Sequence, residues 1–257
     1  FVRHMVLNSL RSYRSKFQGE FGELVLCYDN KTNWRRDYFP NYKHSRRKGR
    51  KESKLDWNNI FDTLHMIKSE LTEFFPYKVL EVDNAEADDI IASVVFHVAS
   101  EPKNYEKVLI LSSDKDFIQL QKYNFVSQYS PMQKKFINGV DPTTYIKEHI
   151  LKGDRGDGVP NFLSPDNTFV DELRQRPLSK RKLEAWIDLE PSDYCNEEMM
   201  RNYQRNRTLI DLSYIPDDIK EKCTETFLDA PEGNRKHLLN YFIKKKLKSL
   251  MENIGDF

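Results

Sequence analysis

Lys107-Val108-Leu109-Ile110-Leu111-Ser112-Ser113-Asp114-Lys115-Asp116-Phe117 is the stretch that decides how this chain folds. A short continuous apolar run that stops at polar turn residues marks a strand buried on both faces of a parallel sheet. This one delivers two carboxylates, Asp114 and Asp116, to its carboxyl end. Leu24-Val25-Leu26-Cys27-Tyr28, followed by Asp29, repeats the pattern, and residues 77–82 supply a third strand. Between the strands, Ile60, Phe61, Leu64, Ile67 and Leu71 recur at helical spacing, which predicts a helix over 57–75; the Ala/Ile/Val-rich residues 85–99 predict another. Val2, Met5, Val6 and Leu10 predict an amino-terminal helix with those four side chains on one face. Strands alternating with helices give an α/β fold, a mostly parallel central sheet flanked by helices.

Beyond about residue 141 the strand pattern stops and helical patterns continue to the end, broken by Pro160, Pro165, Pro177 and Pro191. The expected organisation is therefore an α/β core over 1–140 and an all-helical lobe over 141–257. A length of 257 residues suits one large domain or one with an appendage. With 39% hydrophobic, 32% charged and 12% aromatic residues the chain is too aromatic for a disordered protein. No stretch approaches the roughly 18 apolar residues of a membrane span. Cys27, Cys195 and Cys223 form no Cys-x-x-Cys pair, which points to packing residues in a reducing compartment. The net charge of +1 hides a segregation: residues 31–54 hold ten Lys/Arg and two acids, whereas 81–89 hold five carboxylates and no base.

The acids fall where an open α/β sheet binds its ligands, beyond the carboxyl ends of its strands. Asp29 ends the first strand. Glu86, Asp88 and Asp89 open the helix after the 77–82 strand, Asp114 and Asp116 follow the central run, and Asp154 and Asp157 lie in Gly153-Asp154-Arg155-Gly156-Asp157-Gly158. Taken singly, each group is equally read as a helix cap, a solvated loop or a Gly/Asp turn. Together they repel one another, and divalent cations remove that penalty. Oxygen donors without a suitably spaced His or Cys favour Mg²⁺ or Mn²⁺ over zinc. Two such ions are the usual device for attacking a phosphodiester.

Glu86-Ala87-Asp88-Asp89, Ser113-Asp114-Lys115-Asp116-Phe117 and Gly153-Asp154-Arg155-Gly156-Asp157-Gly158-Val159-Pro160, in that order, resemble the metal-binding signatures of the flap endonuclease or 5′ nuclease superfamily, and within it the T-even phage ribonuclease H branch. Trp34-Arg35-Arg36-Asp37, Ser130-Pro131-Met132 and Leu209-Ile210-Asp211-Leu212 extend the likeness over most of the chain. The resemblance implies a PIN-like core, a helical lobe with a helix-three-turn-helix element around 152–165, and a basic helical arch at 31–54. It implies a first metal site of Asp29, Glu86, Asp88 and Asp114, with Asp89 beside it, and a second of Asp116, Asp154 and Asp157. Lys43 and Arg46, with Arg35 in a lesser role, would meet the scissile phosphate; Arg36, Tyr42, Arg47, Lys48, Lys152 and Arg155 would hold nucleic acid. The implied activity is two-metal hydrolysis with Mg²⁺ or Mn²⁺, acting as a 5′-to-3′ exonuclease and flap endonuclease on RNA primers and 5′-ended DNA during replication. A monomer in the cytoplasm of a phage-infected bacterium, working with a single-stranded DNA-binding protein or a sliding clamp, belongs to the same expectation.

In that family a further metal-binding aspartate sits on a strand that would precede Phe1, so an apolar run ending in Asp is expected upstream. Asn161-Phe162-Leu163-Ser164-Pro165 stands where cellular members carry a second Gly-rich turn. The ten bases at 31–54 should attract a polyanion through counterion release, and Trp34, Tyr38, Phe39 and Tyr42 offer stacking faces for an unpaired strand. So many like charges predict an arch that is mobile without nucleic acid. The histidines show no metal spacing, Trp57 reads as a packing anchor, and residues 247–257 read as a helix closing the lobe. Two rivals remain: a compact PIN-type ribonuclease, and a 5′-junction-binding protein without catalysis.

Overall fold

The apolar runs are strands, and the periodic segments between them are helices. In the computed structural model, which describes residues 1–101, 106–231 and 233–257, the first half runs α1 (Val2–Phe21), β1 (Val25–Tyr28), α2 (Trp34–Tyr38), α3 (His44–Glu52), α4 (Trp57–Phe74), β2 (Lys78–Glu81), α5 (Ala87–Ser100), β3 (Val108–Leu111), β4 (Val126–Ser130) and β5 (Lys135–Phe136). The second half runs α6 (Pro142–Lys152), α7 (Lys180–Trp186), α8 (Pro191–Tyr194), α9 (Glu197–Ile210), α10 (Asp217–Asp229), α11 (Leu238–Lys244) and α12 (Lys248–Met251). None of the described helices is long and apolar enough to cross a membrane.

β1 lies parallel to β2, with Val25 opposite Lys78 and Tyr28 opposite Glu81. β3 lies parallel to β4, and β5 adds an antiparallel edge. The sheet is thus two hydrogen-bonded blocks, β1-β2 and β3-β4-β5, which keep the parallel sense and bring their acids to the strand ends. β4 and β5 escape a reading of hydrophobic runs. β4 is Val-Ser-Gln-Tyr-Ser, yet most of it is buried. Gln128 donates from Nε2 to the carbonyls of Ser112 (3.1 Å) and Asp114 (2.5 Å), and Ser130 Oγ lies 2.8 Å from Ser113 Oγ. Satisfied hydrogen bonds make that burial tolerable.

Of the face expected for α1, Val6 and Leu10 pack against the core beside Leu7, whereas Val2 and Met5 are exposed and Arg14 is buried. The helix is turned by its ion pairs: Arg3 binds Glu70 of α4 at 2.7 Å, and Arg14 binds Glu23 at 2.6 Å.

Packing does not follow a boundary at 141. Ile150, Leu151, Phe162, Leu183 and Tyr203 form a core local to the helical half. The chain then returns: Leu212, Ile215, Ile219 and Cys223 enter the cluster of Leu80, Ile90, Val95 and Ile110, while Tyr241, Phe242, Leu250 and Phe257 pack with Leu7, Ile67, Leu71 and Phe75. Phe257 is fully buried. Residues 247–257 therefore close, together with α11, onto α4 and α1.

Of the expected helix-three-turn-helix element, α6 and a tight turn are present, but no helix follows until α7. Pro160 and Pro165 punctuate the segment, and side chains satisfy its backbone instead. Arg205 donates to Pro160 O (2.9 Å) and Ser164 O (3.2 Å), Asn206 to Pro160 O (2.9 Å), and Asn161 Oδ1 accepts from Ser164 Oγ (2.8 Å). The Asn161–Ser164 bond is of the local kind that competes with helix formation, and the bonds from α9 hold the segment in its turns.

Candidate metal centre

The first turn of α5 carries the most tightly held acids. Asp89 is fully buried: Arg35 reaches both of its oxygens (2.8 and 3.0 Å), Trp34 Nε1 donates at 3.2 Å, and the Glu86 amide donates at 2.8 Å. Glu86, 4% exposed, meets Arg35 (3.2 Å), the Tyr42 hydroxyl (2.9 Å) and Lys43 Nζ (2.5 Å). Arg35 is anchored from behind by a bond to Leu209 O at 3.0 Å. Asp89 pairs with Arg35 through both oxygens, but only its Oδ2 accepts hydrogen bonds, from Arg35, Trp34 and the Glu86 amide. Arg35, 3% exposed, has its donors aimed at Asp89, Glu86 and Leu209.

The other acids arrive from three strand or helix ends. Asp29 accepts from the Ala87 amide at 2.8 Å, which joins the end of β1 to the start of α5. Asp114 accepts from the Asp116 amide at 3.0 Å and opens the 3₁₀ turn Lys115–Lys122. After α6, Gly153 has φ 67°, and a Cβ there would lie 2.4 Å from Val159 O, so only glycine closes the turn. Within the turn Asp154 Oδ1 accepts from the Asp157 amide at 3.1 Å. Asp157 is held at 2.7 Å by the Tyr42 hydroxyl and at 2.5 Å by Arg46, with Lys43 Nζ at 3.7 Å. The Lys43 amide donates to Asp157 O at 2.7 Å, and a Cβ on Gly158 would come within 3.1 Å of Asn41 O. The base of α3 is thereby seated on the acidic turn.

Asp88, Asp116, Asp154 and Asp157 line one small cavity together with Arg35 and Tyr42. Asp114 lies at its exposed side, close enough to act on both Asp88 and Asp116. Burial, reinforced by Asp114 and Glu86, pushes Asp88 up to about 8. Burial also carries Asp116 up to about 7, opposed by His149 and aided by Asp114, Asp154 and Asp157. Burial raises Asp157 against the pull of Lys43 and Arg46. Burial would raise Glu86 as well, but Lys43 and Arg35 outweigh it and hold it low. These acids resist ionising together, the condition a cation relieves.

The aromatic expectation for 34–42 fails for three rings of four. Trp34, Phe39 and Tyr42 are buried and Tyr38 is exposed, because their apolar faces pack inward while Tyr42 spends its hydroxyl on the carboxylates. Tyr42, 3% exposed, bridges Glu86 and Asp157 through its hydroxyl and offers no open face for stacking. Arg36 is half-buried, Arg47 reaches only Pro40 O at 3.5 Å, Lys48 pairs with Glu172 and Lys152 with Glu148. Lys152 and Arg155 line a separate groove of about 1190 Å³ with Arg174, Arg176 and Lys180, and with the acids Glu148, Glu172 and Glu184. Trp57 packs on Phe61, with Arg50 of α3 over both rings.

One residue was missed. His149 lies 3.4 Å from Asp116 Oδ1 and 3.6 Å from Asp154 Oδ2 by its Nε2 atom. It precedes Asp154 by five positions across a helix end, where the chain turns back at Gly153, so no helical spacing betrays it.

A family model described as the 5′-3′ exonuclease N-terminal resolvase-like domain matches residues 2–149, and one described as the T4 RNase H C-terminal domain matches 141–257. The chain belongs to the 5′–3′ exonuclease family. It is 36% identical to the protein named ribonuclease H of Enterobacteria phage T4, over all of this chain and 86% of that one. It is 26% identical to a 5′-3′ exonuclease of Buchnera aphidicola, over 78% of this chain and 72% of that one. In solved structures its fold matches a bacteriophage T5 protein co-crystallised with metal ions (TM-score 0.58, 18% identity, 88% of this chain and 92% of that one). It also matches the T5 flap endonuclease in a complex with DNA and metal ions (TM-score 0.58, 17% identity, 87% and 90%). The fold is the PIN-like fold of the 5′ nucleases.

Proposed function

We propose that this chain is a divalent-metal-dependent 5′ nuclease that hydrolyses phosphodiesters in RNA·DNA hybrids and in DNA with a 5′ end or flap, removing primers during replication. The observation that carries the reading is the meeting of Asp88, Asp116, Asp154 and Asp157, from three separate segments, around one cavity. The donor set fits a divalent cation: several carboxylates that resist ionising together, and a buried imidazole nitrogen without a hydrogen-bond partner. Glu86, Asp88, Asp114 and Asp29 would hold one ion, and Asp116, Asp154 and Asp157 a second. Bound there, Mg²⁺ or Mn²⁺ supplies water activation and charge neutralisation at the leaving oxygen. Tyr42 orients Glu86 and Asp157, Arg35 and Asp89 fix the start of α5, and Lys43 with Arg46 carries positive charge to the edge of the cavity. The exposed bases of α3 would draw in a single strand, and the groove with Lys152 and Arg155 would hold the duplex backbone. A monomer acting in a bacterial host's cytoplasm, with a single-stranded DNA-binding protein or a sliding clamp, completes the proposal.

The test compares a 5′-flap duplex, an RNA·DNA hybrid and single-stranded RNA in Mg²⁺, Mn²⁺ and EDTA. Metal-dependent cleavage of the first two is expected. Preference for single-stranded RNA would indicate the PIN-type ribonuclease instead, and tight binding with no cleavage in either metal would indicate the junction-binding protein.

A further inference from the structure

His149 faces the acidic site at ion-pair distance from Asp116 and Asp154, too far or poorly aligned for a well-formed hydrogen bond to either. Its ring stacks on Tyr145 with centroids 5.5 Å apart and planes 16° apart, which fixes the direction of Nε2. That nitrogen is buried and without a hydrogen-bond partner. It stands at ion-pair distance from Asp116 and Asp154, and the three donor atoms lie within 4.8 Å of one another. A buried nitrogen left without a hydrogen bond calls for a partner. Donors about 2.1 Å from a shared ion and separated by 3.4 and 3.6 Å subtend roughly 110° there, a spread that divalent ions accept.

We propose that His149 Nε2 is a direct ligand of the divalent ion held by Asp116 and Asp154, making this half of the centre a mixed nitrogen–oxygen site. The inference rests on the nuclease reading above and deepens it by assigning a ligand and a class of metal. A neutral imidazole protonated on Nδ1 presents the Nε2 lone pair to a metal. Imidazole favours first-row transition ions over Mg²⁺, so this half should prefer Mn²⁺, Co²⁺ or Zn²⁺. The half around Asp88 and Asp114 would be held by carboxylates, and keeps its affinity for Mg²⁺.

The alternative is an imidazolium that only pairs with the two carboxylates, and coordination spectroscopy separates the two. The full chain is loaded with Mn²⁺ alone and examined by pulsed electron paramagnetic resonance for ¹⁴N coupling. The proposal expects histidine nitrogen coupling that becomes a ¹⁵N pattern when the unmodified protein is grown with ¹⁵N-histidine, and that vanishes in His149→Ala and His149→Gln. Calorimetry should show Mn²⁺ affinity falling at least about 10-fold in both variants, the low end of what even an outer-shell change costs, with Mg²⁺ affinity much less affected. Mn²⁺ bound without nitrogen coupling in the unmodified protein overturns the ligand assignment and leaves the nuclease reading standing. Absence of Mn²⁺ binding, unaltered by Asp116→Asn, overturns both.

Discussion

Lys43 and Arg46 differ in what their removal should do. Lys43 is mostly buried, and its amine is the counter-charge for Glu86, whereas Arg46 is half exposed and binds Asp157. Alanine at either position is expected to slow single-turnover cleavage by about 10²- to 10³-fold, the size of one lost transition-state donor, with a smaller change in metal affinity. Unchanged single-turnover rates in both variants would remove that role. Asp89→Ala belongs to a different class. It strips a buried partner from Arg35, and breaking such a pair costs about 3–5 kcal/mol. Its urea midpoint should drop sharply even in EDTA, whereas Asp116→Asn should leave or raise the metal-free midpoint. Sequence spacing separated none of these roles. Asp88 and Asp89 are adjacent on a helix, and only the third dimension shows that one faces the cavity while the other faces Arg35 and Trp34. His149 was invisible for the complementary reason, since its neighbours are set by the turn at Gly153 and not by a repeat.

At the scale of elements, apolar runs and helical periodicity were enough to find β1, β2, β3, α4 and α5, because those segments are defined by what they bury. They were not enough for β4, whose burial depends on Gln128 finding two carbonyls, nor for the segment after Pro160, whose turns depend on Arg205 and Asn206 from another helix. α3 shows the same limit from the other side. Its charge run was legible as an insertion over the acids, but its seat on Gly158 was not. None of its residues is buried, so its amides are expected to exchange hydrogen much faster than those of α5 in the free protein at low salt. Equal protection of the two helices would contradict a loosely held arch. Added flap DNA should slow exchange in α3 selectively.

For the molecule as a whole, two responses to solution conditions follow from its charges. Asp88 holds its proton up to about 8 and Asp116 up to about 7, whereas both ionise near about 3.9 in an unfolded chain. His149, raised chiefly by Asp154 and Asp116 against burial, adds to the same sign. Between those limits the folded protein binds more protons than the unfolded one, so metal-free stability should fall as pH rises from about 4 towards about 8. Glu86 and Asp154, both held low, contribute the opposite slope only below the ordinary carboxylate range. Denaturation midpoints in EDTA at several pH values check the sign, and saturating Mg²⁺ or Mn²⁺ should flatten the decline. Arg46, Arg47, Lys48, Arg50, Lys51 and Lys54 are all exposed. If each meets a phosphate, affinity for flap DNA should drop on the order of 10³-fold between about 50 and 200 mM salt, a dependence that fluorescence anisotropy can follow.

The contact of Gly158 with residues 41–43 and the bond from the Lys43 amide to Asp157 O bear on how a polymer is received. Lid and floor share a single stretch of backbone there. A displacement of α3 would therefore load the same peptide units that aim the Asp157 carboxylate, so the pose of the basic helix and the pose of the acidic turn are geared to one another.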